Sequence, residues 1–547
     1  MSSADDSKVE AHGGSHAAWA LRAHGVDALF TLSGGHIFPL YDGCVKEEIR
    51  LVDVRHEQTA VFAAEGYAKV SRRPGVAALT AGPGVTNGVS AITTAHFTGS
   101  PVAVLGGRAP AARWGHGSLQ ELDHVPILET VTKHAATSGT TAGIGSDIDQ
   151  MLRSARSSHR GPTFLDVPMD LFFGSAEAAK VSEFQDAESA AAPDAESLEH
   201  IGQLLSQAER PVLMAGADVY WDGAEGELKA LAEAGQLPVF MNGLGRGTLA
   251  ADHALAFSRC RSTAFKGGDL VVVIGTPLDF RLGFGRFGDA KVVHIMDRAD
   301  RVSQHVELAA SAGGSLSAAL RGVREALSGT GENHSAWIET LTAEETAKRD
   351  GEAEILGSDA DPIHPGRIYG ELAKRLDRDA VVIGDGGDFV SYAGKYVDTF
   401  TPGCFLDPGP YGCLGTGPGY ALGAHTAAPD RQVVLLMGDG AAGFSLGDLD
   451  TLVRFQVPVA IVVGNNVCWG LEKHPMQHLY GYHVAAELSE KARYDGVLEA
   501  LGGAGETVER PGDIGAALER ALDAKGPYLV NVMTDPENVY PRSSNLG

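Results

Sequence analysis

Two stretches of the 547-residue chain decide its fold: VVLLMGDG at residues 433–440 and VAIVVGNN at residues 459–466. In each stretch an apolar run of strand length ends at a glycine, and polar residues follow. Continuous apolar runs of this kind are typical of strands that are buried on both faces of a parallel sheet. The carboxyl ends of parallel strands line the ligand crevice of an open sheet, so we expect Asp439 and Asn466 to lie close together there.

A carboxylate and an amide oxygen at this edge suit a hard divalent cation such as Mg²⁺ or Ca²⁺. Mg²⁺ takes few protein ligands and completes its shell with phosphate oxygens and water, so one Asp, one Asn and a backbone carbonyl suffice. An isolated Gly-Asp-Gly is more often a plain turn. The chain has such a copy at residues 384–386, which no Asn pair follows at comparable spacing. We interpret that copy as a structural loop, and leave open whether Asp388 lies near the substrate.

Apolar runs of strand length alternate with helix-length segments along the rest of the chain. This alternation predicts an α/β fold with three domains, each a mainly parallel sheet flanked by helices. The runs occupy residues 76–79, 102–105, 163–167, 211–214, 238–241, 270–274, 292–295, 380–383, 432–437, 459–463 and 528–532.

Stretches that lack apolar periodicity mark the domain boundaries. Residues 176–196 are rich in Ala, Glu, Ser and Asp, and a polar, acidic stretch at 342–361 precedes the third series of strands. The prediction is an N-terminal domain at 1–175, a linker at 176–196, a central domain at 197–330, a linker at 331–362, a C-terminal domain at 363–535 and a tail at 536–547.

Composition excludes several classes of function. The formal net charge is −26 and Lys and Arg do not cluster, so nucleic acid is excluded as a partner. Helix N-termini and a metal can still hold a small phosphorylated ligand on an acidic protein. The five cysteines are scattered without a Cys-x-x-Cys pair, which argues against disulfides and zinc. No signal peptide or membrane-spanning segment is predicted, so we expect a cytoplasmic protein without a membrane partner.

The GDG and NN pair resembles the signature of thiamine-diphosphate enzymes, and further signatures lie in both outer domains in the family's order. The resemblance therefore covers nearly the whole chain. It implies an N-terminal pyrimidine-binding domain, a central domain and a C-terminal diphosphate-binding domain, with thiamine diphosphate held through Mg²⁺. The implied metal ligands are the side chains of Asp439 and Asn466 and the main-chain carbonyl of Cys468. The implied cofactor contacts in this domain are Gly438, Asp439, Gly440, Ala441, Asn466, Trp469 and Gly470.

Glu57, in RHEQ at residues 55–58, matches the family's activating glutamate. In the family this carboxyl group donates to a pyrimidine nitrogen of the cofactor and favours the tautomer that removes the thiazolium proton. The helix predicted to follow it is rich in Ala and Gly, as expected for a buried helix, and a buried carboxyl group can act as a proton donor. AGPG at residues 81–84, with the cofactor contact Gly84, follows the next strand as in the family. The alternative for Glu57 is a solvated carboxylate at a helix start.

GCLG at residues 412–415 matches the family segment that bends the cofactor into a V shape. The resemblance implies that Leu414 wedges between the two rings of the cofactor. It also implies that the carbonyl of Gly412 accepts from the exocyclic amino group. An ordinary core leucine is the alternative for Leu414.

Several stretches depart from acetolactate synthase and look like oxalyl-CoA decarboxylase and 2-hydroxyacyl-CoA lyase: 417–423, 443–445 and 261–264. The C-terminal RSSNL is similar to the tail that closes over CoA in that branch. Two features depart from the branch, which often has Ser at the position of Gly440 and a different sequence at 469–472. The tail implies an acyl-CoA partner and three candidate substrate contacts, Arg542, Ser543 and Asn545.

Glu472 lies six residues after Asn466, and in the pyruvate decarboxylase branch a glutamate at that offset projects over the thiazolium. A 2-hydroxyacyl-CoA lyase removes the substrate hydroxyl proton and later protonates a carbanion, and one carboxyl group can serve both steps. Oxalyl-CoA decarboxylase needs no such base. Glu472 therefore favours a lyase that forms formyl-CoA and an aldehyde or ketone, with oxalyl-CoA decarboxylase and an acetolactate synthase-like carboligase as alternatives. A helix-start residue paired with Lys473 or His474 is the other interpretation of Glu472.

The remaining expectations concern the N-terminal site, the central domain and assembly. Gln120 matches a family active-site glutamine, and His36 is a further catalytic candidate that is more often a loop residue. The sequence leaves open whether the central domain binds ADP, FAD or no nucleotide. Asp297 follows a strand and could contact a ribose, but a single Asp at a strand end is weak evidence. Because Glu57 and Asp439 lie in different domains, the resemblance implies pairing across subunits, hence a homodimer at minimum and an expected homotetramer. A non-catalytic binding protein is improbable because Glu57 and both metal ligands are intact.

Overall fold

The computed structural model describes residues 8–179, 190–328, 334–538 and 540. Within these residues the chain forms three large sheets, each with all neighbouring strands parallel, and one small antiparallel ribbon. Helices connect the strands of every large sheet. The predicted α/β class and the three parallel sheets are confirmed.

The N-terminal part contains eight strands and seven α-helices. The strands are β1 (Lys8–His12), β2 (Ala28–Thr31), β3 (Arg50–Asp53), β4 (Gly75–Leu79), β5 (Val102–Arg108), β6 (His134–Thr137), β7 (Thr163–Pro168) and β8 (Ser175–Ala179). The helices are α1 (Gly13–Ala23), α2 (Phe38–Lys46), α3 (Glu57–Ser71), α4 (Pro83–Thr98), α5 (Val125–Leu128), α6 (Ile144–Arg156) and α7 (Met169–Phe173). Six strands form a sheet in the order β3-β2-β4-β5-β7-β6, and β1 pairs with β8 as an antiparallel ribbon. The ribbon extends past residue 175, where the sequence ended the domain.

The central part contains a five-stranded sheet in the order β10-β9-β11-β12-β13. Its strands are β9 (Pro211–Ala215), β10 (Val239–Met241), β11 (Leu270–Ile274), β12 (Lys291–Met296) and β13 (Ala310–Gly313). Its helices are α8 (Ala195–Gln207), α9 (Ala217–Trp221), α10 (Glu225–Gly235), α11 (Arg261–Gly267) and α12 (Leu316–Glu325).

A long helix occupies most of the segment that the sequence marked as a linker at 331–362. This helix, α13 (Ser335–Leu356), packs on the central part through Trp337, whose indole Nε1 donates to the Pro211 carbonyl at 3.1 Å. Glu345 of α13 accepts hydrogen bonds from the backbone N–H groups of residues 258–260. The buried face of α13 is apolar only at its start, with Trp337 and Leu341, and continues with Glu345 and Glu352, so the sequence showed no sustained helical periodicity here.

The C-terminal part contains a six-stranded sheet in the order β15-β14-β16-β17-β19-β18. Its strands are β14 (Val381–Asp385), β15 (Phe405–Leu406), β16 (Val433–Gly438), β17 (Val459–Asn465), β18 (Ala504–Val508) and β19 (Tyr528–Met533). The helices of this part are α14 (Gly366–Leu372), α15 (Gly387–Tyr396), α16 (Gly417–Ala427), α17 (Asp439–Ala442), α18 (Leu449–Arg454), α19 (Gly470–Tyr480), α20 (Tyr494–Ala500) and α21 (Ile514–Asp523).

The chain divides into two compact units that do not follow the chain order. Unit one holds the N-terminal sheet together with residues 408–430 and 445–457, which include α16 and α18. Unit two holds the central sheet, α13 and the C-terminal sheet. The predicted C-terminal domain at 363–535 is therefore interrupted twice by segments that pack in unit one.

Helix α16 packs closely along α3 within unit one. A Cβ atom on Gly423 would lie 2.0 Å from the Ala63 carbonyl oxygen, so this approach requires glycine. The Tyr420 hydroxyl donates to Glu65 at 2.8 Å, and Lys69 pairs with Glu65 at 2.9 Å. Both charged groups are fully or almost fully buried, and each has the partner that such burial requires.

Among the described helices, none combines the length and the apolar character that crossing a membrane requires.

Candidate active site

The register of β16 and β17 brings the two predicted metal ligands to one sheet edge. Gly438 of β16 pairs with Gly464 of β17, so Asp439 and Asn466 both follow the carboxyl ends of adjacent parallel strands. Asp439 is also the first residue of α17 and is 3% exposed. The structure thus places both residues at the crevice that the apolar runs predicted.

The two oxygens of the Asp439 carboxyl group have different surroundings. Its Oδ1 accepts from the Gly440 N–H at 3.0 Å, whereas its buried Oδ2 meets no hydrogen-bond donor among the described residues. Burial raises the pKa of Asp439 from 3.8 to about 7, although the Gly440 N–H opposes this shift. A buried carboxylate oxygen without a donor is costly unless a positive charge compensates it. Asp439 therefore fits a divalent cation bound at Oδ2.

The loop after β17 is held in a strained conformation. Val467 has φ of 54°, which is rare for a β-branched residue. The loop is fixed on both sides, because Trp469 N–H donates to the Ala486 carbonyl and Leu488 N–H donates to the Val467 carbonyl, both at 2.8 Å. Backbone strain of this kind persists where surrounding contacts over-determine it and is frequent at ligand sites. The strained residue lies between Asn466 and Cys468, the two predicted ligands of this loop.

Glycines let neighbouring side chains approach this loop. A Cβ on Gly440 would lie 2.5 Å from the ring of Trp469, so the indole packs directly on the Gly440 backbone. A Cβ on Gly470 would lie 2.6 Å from Oδ2 of Asp388 and 3.3 Å from Nδ2 of Asn466. Asp388, which the sequence left open, thus lies beside the loop that carries the predicted metal ligand Asn466.

The first GDG copy packs against the second. A Cβ on Gly386, which has φ of 94°, would lie 2.7 Å from Cβ of Ala441. Glycine is therefore needed at 386 both for its conformation and for this approach. These contacts agree with a structural role for residues 384–386.

Glu472 lies in the first turn of α19, the helix that begins at Gly470 directly after the loop of Asn466. Its side chain is exposed. Lys473, one of the partners that the sequence offered it, pairs with Glu487 at 3.3 Å and with Glu537 at 3.9 Å. The structure thus puts the predicted acid/base on the same loop-helix unit as Asn466.

Glu57 begins helix α3 and is 8% exposed, so it is a buried carboxyl group rather than a solvated one. Its Oε2 accepts from Nδ2 of Asn87 on α4 at 3.0 Å. The segment that carries it is fixed by Asp448, whose carboxylate accepts from Arg55 N–H at 2.8 Å and from the Thr59 hydroxyl at 2.7 Å. Its predicted role as the activating acid stays a prediction.

The AGPG loop brings the other N-terminal candidates towards Glu57. A Cβ on Gly84 would lie 2.7 Å from Cγ2 of Thr80 and 3.8 Å from Oε1 of Glu57. A Cβ on Gly82 would lie 2.9 Å from Cβ of Gln120. Thr80 also contacts Nδ1 of His36 at 3.3 Å. Glu57, Gly84, Gln120 and His36 therefore gather at the carboxyl edge of the N-terminal sheet.

His36 is buried, and burial is the main cause that lowers its pKa. The imidazole is therefore mostly neutral at neutral pH. His36 contacts Thr80, which lies beside Gly84, and its catalytic role stays a prediction.

The segment at 412–415 lies in unit one. Gly412 has φ of 71°, a conformation that favours glycine. Leu414 is half-buried, which differs from the alternative of an ordinary core leucine. The candidate substrate contacts Arg542, Ser543 and Asn545 lie outside the described residues.

Sequence reasoning missed a buried pair, His124 and Asp166, next to the AGPG loop. Gly82 N–H donates to Nε2 of His124 at 3.0 Å, and Nδ1 of His124 contacts Oδ2 of Asp166 at 3.1 Å. Each contact joins residues 42 positions apart. No motif marks these residues, so the tertiary structure alone reveals them.

Comparison with known families agrees with this geometry. Residues 11–127 match the N-terminal TPP binding domain of thiamine pyrophosphate enzymes, residues 198–323 match their central domain, and residues 385–532 match their C-terminal TPP binding domain. The chain belongs to the thiamine pyrophosphate enzyme family. It is a thiamine-diphosphate-dependent enzyme, as the GDG and NN pair predicted.

Full-length relatives carry two different names. The chain is 52% identical over 539 residues to "Acetolactate synthase large subunit IlvG" of Mycobacterium tuberculosis, which covers 98% of each chain. It is 32% identical over 548 residues to "2-hydroxyacyl-CoA lyase 2" of Caenorhabditis elegans, which covers 92% of this chain and 86% of the relative. The human protein of the same name is 32% identical over 522 residues, which cover 87% of this chain and 82% of the human protein.

Proposed function

We propose that the chain is a thiamine-diphosphate- and Mg²⁺-dependent lyase that cleaves a 2-hydroxyacyl-CoA into formyl-CoA and an aldehyde or ketone. The observation that carries the proposal is the position of Glu472, on the first turn of the helix that follows the loop of Asn466. Cleavage requires a base for the substrate hydroxyl group, and a decarboxylase of the same family does not.

The metal would be held by Oδ2 of Asp439, the side-chain oxygen of Asn466 and the carbonyl of Cys468. These are hard oxygen donors of the kind that Mg²⁺ takes, with phosphate and water completing the shell. The cofactor, when bound, supplies a thiazolium that stabilises a carbanion. Trp469 closes one side of Gly440, and this contact supports a fixed shape for the diphosphate loop.

Two carboxyl groups would handle protons. Asn87 donates to Oε2 of Glu57 and so leaves Oε1, the oxygen beside Gly84, to carry the proton that activates the cofactor. Glu472 would accept the substrate hydroxyl proton as the carbon–carbon bond breaks, and would return a proton to the carbanion afterwards. A single positioned acid/base is worth about a hundred- to ten-thousand-fold in rate.

Acetolactate synthase is the second candidate. It is favoured by the names of two relatives at 52% identity, from Mycobacterium tuberculosis and Mycobacterium bovis. The lyase is favoured by Glu472 and by the name of the relatives at 32% identity.

One experiment separates the two candidates. The holoenzyme is incubated with a panel of 2-hydroxyacyl-CoA esters, with pyruvate and with oxalyl-CoA, and products are identified by mass spectrometry. The lyase predicts formyl-CoA from at least one hydroxyacyl-CoA, and Asp439→Ala as a cofactor-free control should form none. Acetolactate from pyruvate, with no formyl-CoA from any ester, would overturn the proposal in favour of the second candidate.

We further propose that the enzyme works as a homodimer at minimum, and as a homotetramer in its complete form, with an acyl-CoA as its small-molecule partner. The support is that Glu57 lies in unit one and Asp439 in unit two. Sedimentation at assay concentration tests this, and a fully active monomer would contradict it.

A further inference from the structure

We propose that His124 is a positioning residue for cofactor activation: its neutral imidazole, protonated at Nδ1, holds the AGPG loop and the Gln120 turn together beside Glu57. The inference rests on the thiamine-diphosphate step of the proposed function, and not on the identity of the substrate.

The hydrogen bonds around His124 define one tautomer. Gly82 N–H donates to Nε2 at 3.0 Å, so Nε2 carries a lone pair and the ring proton is on Nδ1. Nδ1–H then donates to Oδ2 of Asp166 at 3.1 Å. Arg108 donates to the same Oδ2 at 2.8 Å, which keeps Asp166 an acceptor. His124 and Asp166 are both fully buried, so water does not compete for these bonds.

The imidazole fixes two loops at once. Gly82 has φ of 60° and ψ of −114°, a conformation that is accessible to glycine, and its hydrogen bond to His124 holds the loop there. Gln120 has φ of 59° and lies four residues before His124, with its Cβ 2.9 Å from where a Gly82 Cβ would be. Losing the Gly82 bond would therefore free both strained segments. Gly84, two residues after Gly82, lies beside Oε1 of Glu57.

Charged and titratable groups surround His124 and its partner Asp166 from several elements. Asp166 on β7 and Arg108 on β5 meet at one oxygen, and Asp123 also pairs with Arg108 at 3.0 Å. His36 faces it from the loop after β2, and the pKa of His36 is lowered by burial first and by the proximity of His124 last. The ring of Phe164 packs edge-on against the His124 imidazole, with 6.2 Å between the ring centroids.

Protonation of Nε2 would oppose the geometry. It would turn two N–H groups towards each other and break the bond to Gly82. The bond to Gly82 therefore requires that Nε2 keeps its lone pair.

The test compares His124→Gln with His124→Leu. Glutamine can present an acceptor to Gly82 and a donor to Asp166 at the same time. Leucine keeps the bulk and loses both bonds. His294→Gln is the matched control, because His294 is also fully buried and bonded through both ring nitrogens but lies in the central sheet.

The readout is deuterium exchange of the thiazolium proton in the holoenzyme, measured by quenched NMR from pH 6 to pH 8.5, with circular dichroism to check folding. We expect His124→Leu to exchange about a hundredfold more slowly than the parent, in line with the cost of a small misplacement at a reacting centre. We expect His124→Gln, which keeps both hydrogen bonds, to match the parent at pH 8 within about threefold, with His294→Gln unchanged.

Parent-like exchange in His124→Leu would overturn the proposal, and so would an equal loss of exchange in His124→Gln and His124→Leu. If His124→Leu does not fold, His124→Gln decides alone, and a loss of exchange in that variant as large as the one expected for leucine would overturn the proposal. The exchange assay needs no substrate, so a failure of the lyase assignment would leave its outcome intact.

Discussion

Asp439→Asn should stabilise the cofactor-free protein at neutral and alkaline pH while abolishing its response to the cofactor. Burial raises the pKa of Asp439 from 3.8 to about 7. The folded, metal-free protein therefore holds a proton there up to about pH 7, which the unfolded chain releases near its ordinary value. Because the folded state binds more protons between these values, stability falls as the pH rises through this window.

The magnitude follows from the shift. About three pH units at 1.36 kcal/mol per unit give about 4 kcal/mol, which is an upper bound for the cost of ionising Asp439 in the apo protein. Asparagine does not ionise, so Asp439→Asn should gain about 2 to 4 kcal/mol at pH 8 and close to nothing below pH 4. Ionisation of Asp439 therefore lowers the stability of the cofactor-free protein, and binding of a cation would offset this cost.

Urea unfolding followed by tryptophan fluorescence measures this, because Trp469 packs on Gly440 and reports on the site. The parent and Asp439→Asn are unfolded at pH 4 and pH 8, each without and with Mg²⁺ and thiamine diphosphate. Asp385→Asn, in the first GDG copy, is the matched control and should keep the ligand-dependent stabilisation. Equal apo stabilities at pH 8, or an undiminished cofactor response in Asp439→Asn, would refute the reasoning.

Three further substitutions address the other parts of the site. Glu57→Gln should bind the cofactor but slow thiazolium exchange about a hundred- to ten-thousand-fold, because the proton donor is lost, and unchanged exchange would show that another group activates the cofactor. Gly440→Ala should weaken cofactor binding by about 1 to 3 kcal/mol through overpacking against Trp469, and Trp469→Leu in the same chain should restore the affinity measured by titration. Glu472→Gln should lower the cleavage rate of a hydroxyacyl-CoA about a hundred- to ten-thousand-fold with cofactor affinity unchanged, and a parent-like rate in a single-turnover assay would contradict its role as the acid/base.

The C-terminal ligand edge could be predicted because its signal is local. Buried parallel strands read as continuous apolar runs, and the glycine that ends each run marks where the polar ligands begin. β16 and β17 accordingly end at Gly438 and Asn465, next to Asp439 and Asn466. The start of α3 at Glu57 is also local, because a short polar segment precedes an Ala-rich helix.

Features that depend on distant partners could not be predicted. Helix α13 was assigned to a linker because its apolar stripe ends at Leu341, and Glu345 continues the buried face by accepting from the backbone of residues 258–260. The His124 and Asp166 pair joins segments 42 positions apart. Positive φ at Val467 is equally hidden, since a β-branched residue argues against that conformation.

The division into two units has the same cause. Residues 408–430 belong to unit one because α16 meets α3 at glycines and because Tyr420 satisfies the buried Glu65, a contact between residues 355 positions apart. A pattern of apolar runs assigns residues to elements, and it does not say which sheet an intervening helix will cover.

Two departures from the acyl-CoA branch, noted separately in the sequence, become one feature in the structure. The branch often has Ser at the position of Gly440 and a different sequence at 469–472. A Cβ on Gly440 would lie 2.5, 2.7 and 2.8 Å from three atoms of the Trp469 ring, so a serine there is incompatible with this indole in this position. An indole at 469 in this position requires glycine at 440, so the two departures form one change. Neither departure by itself argues against the lyase. The pair changes the surface of the loop at Gly440. Here the indole of Trp469 contacts the main chain, where the branch often has the hydroxyl group of a serine.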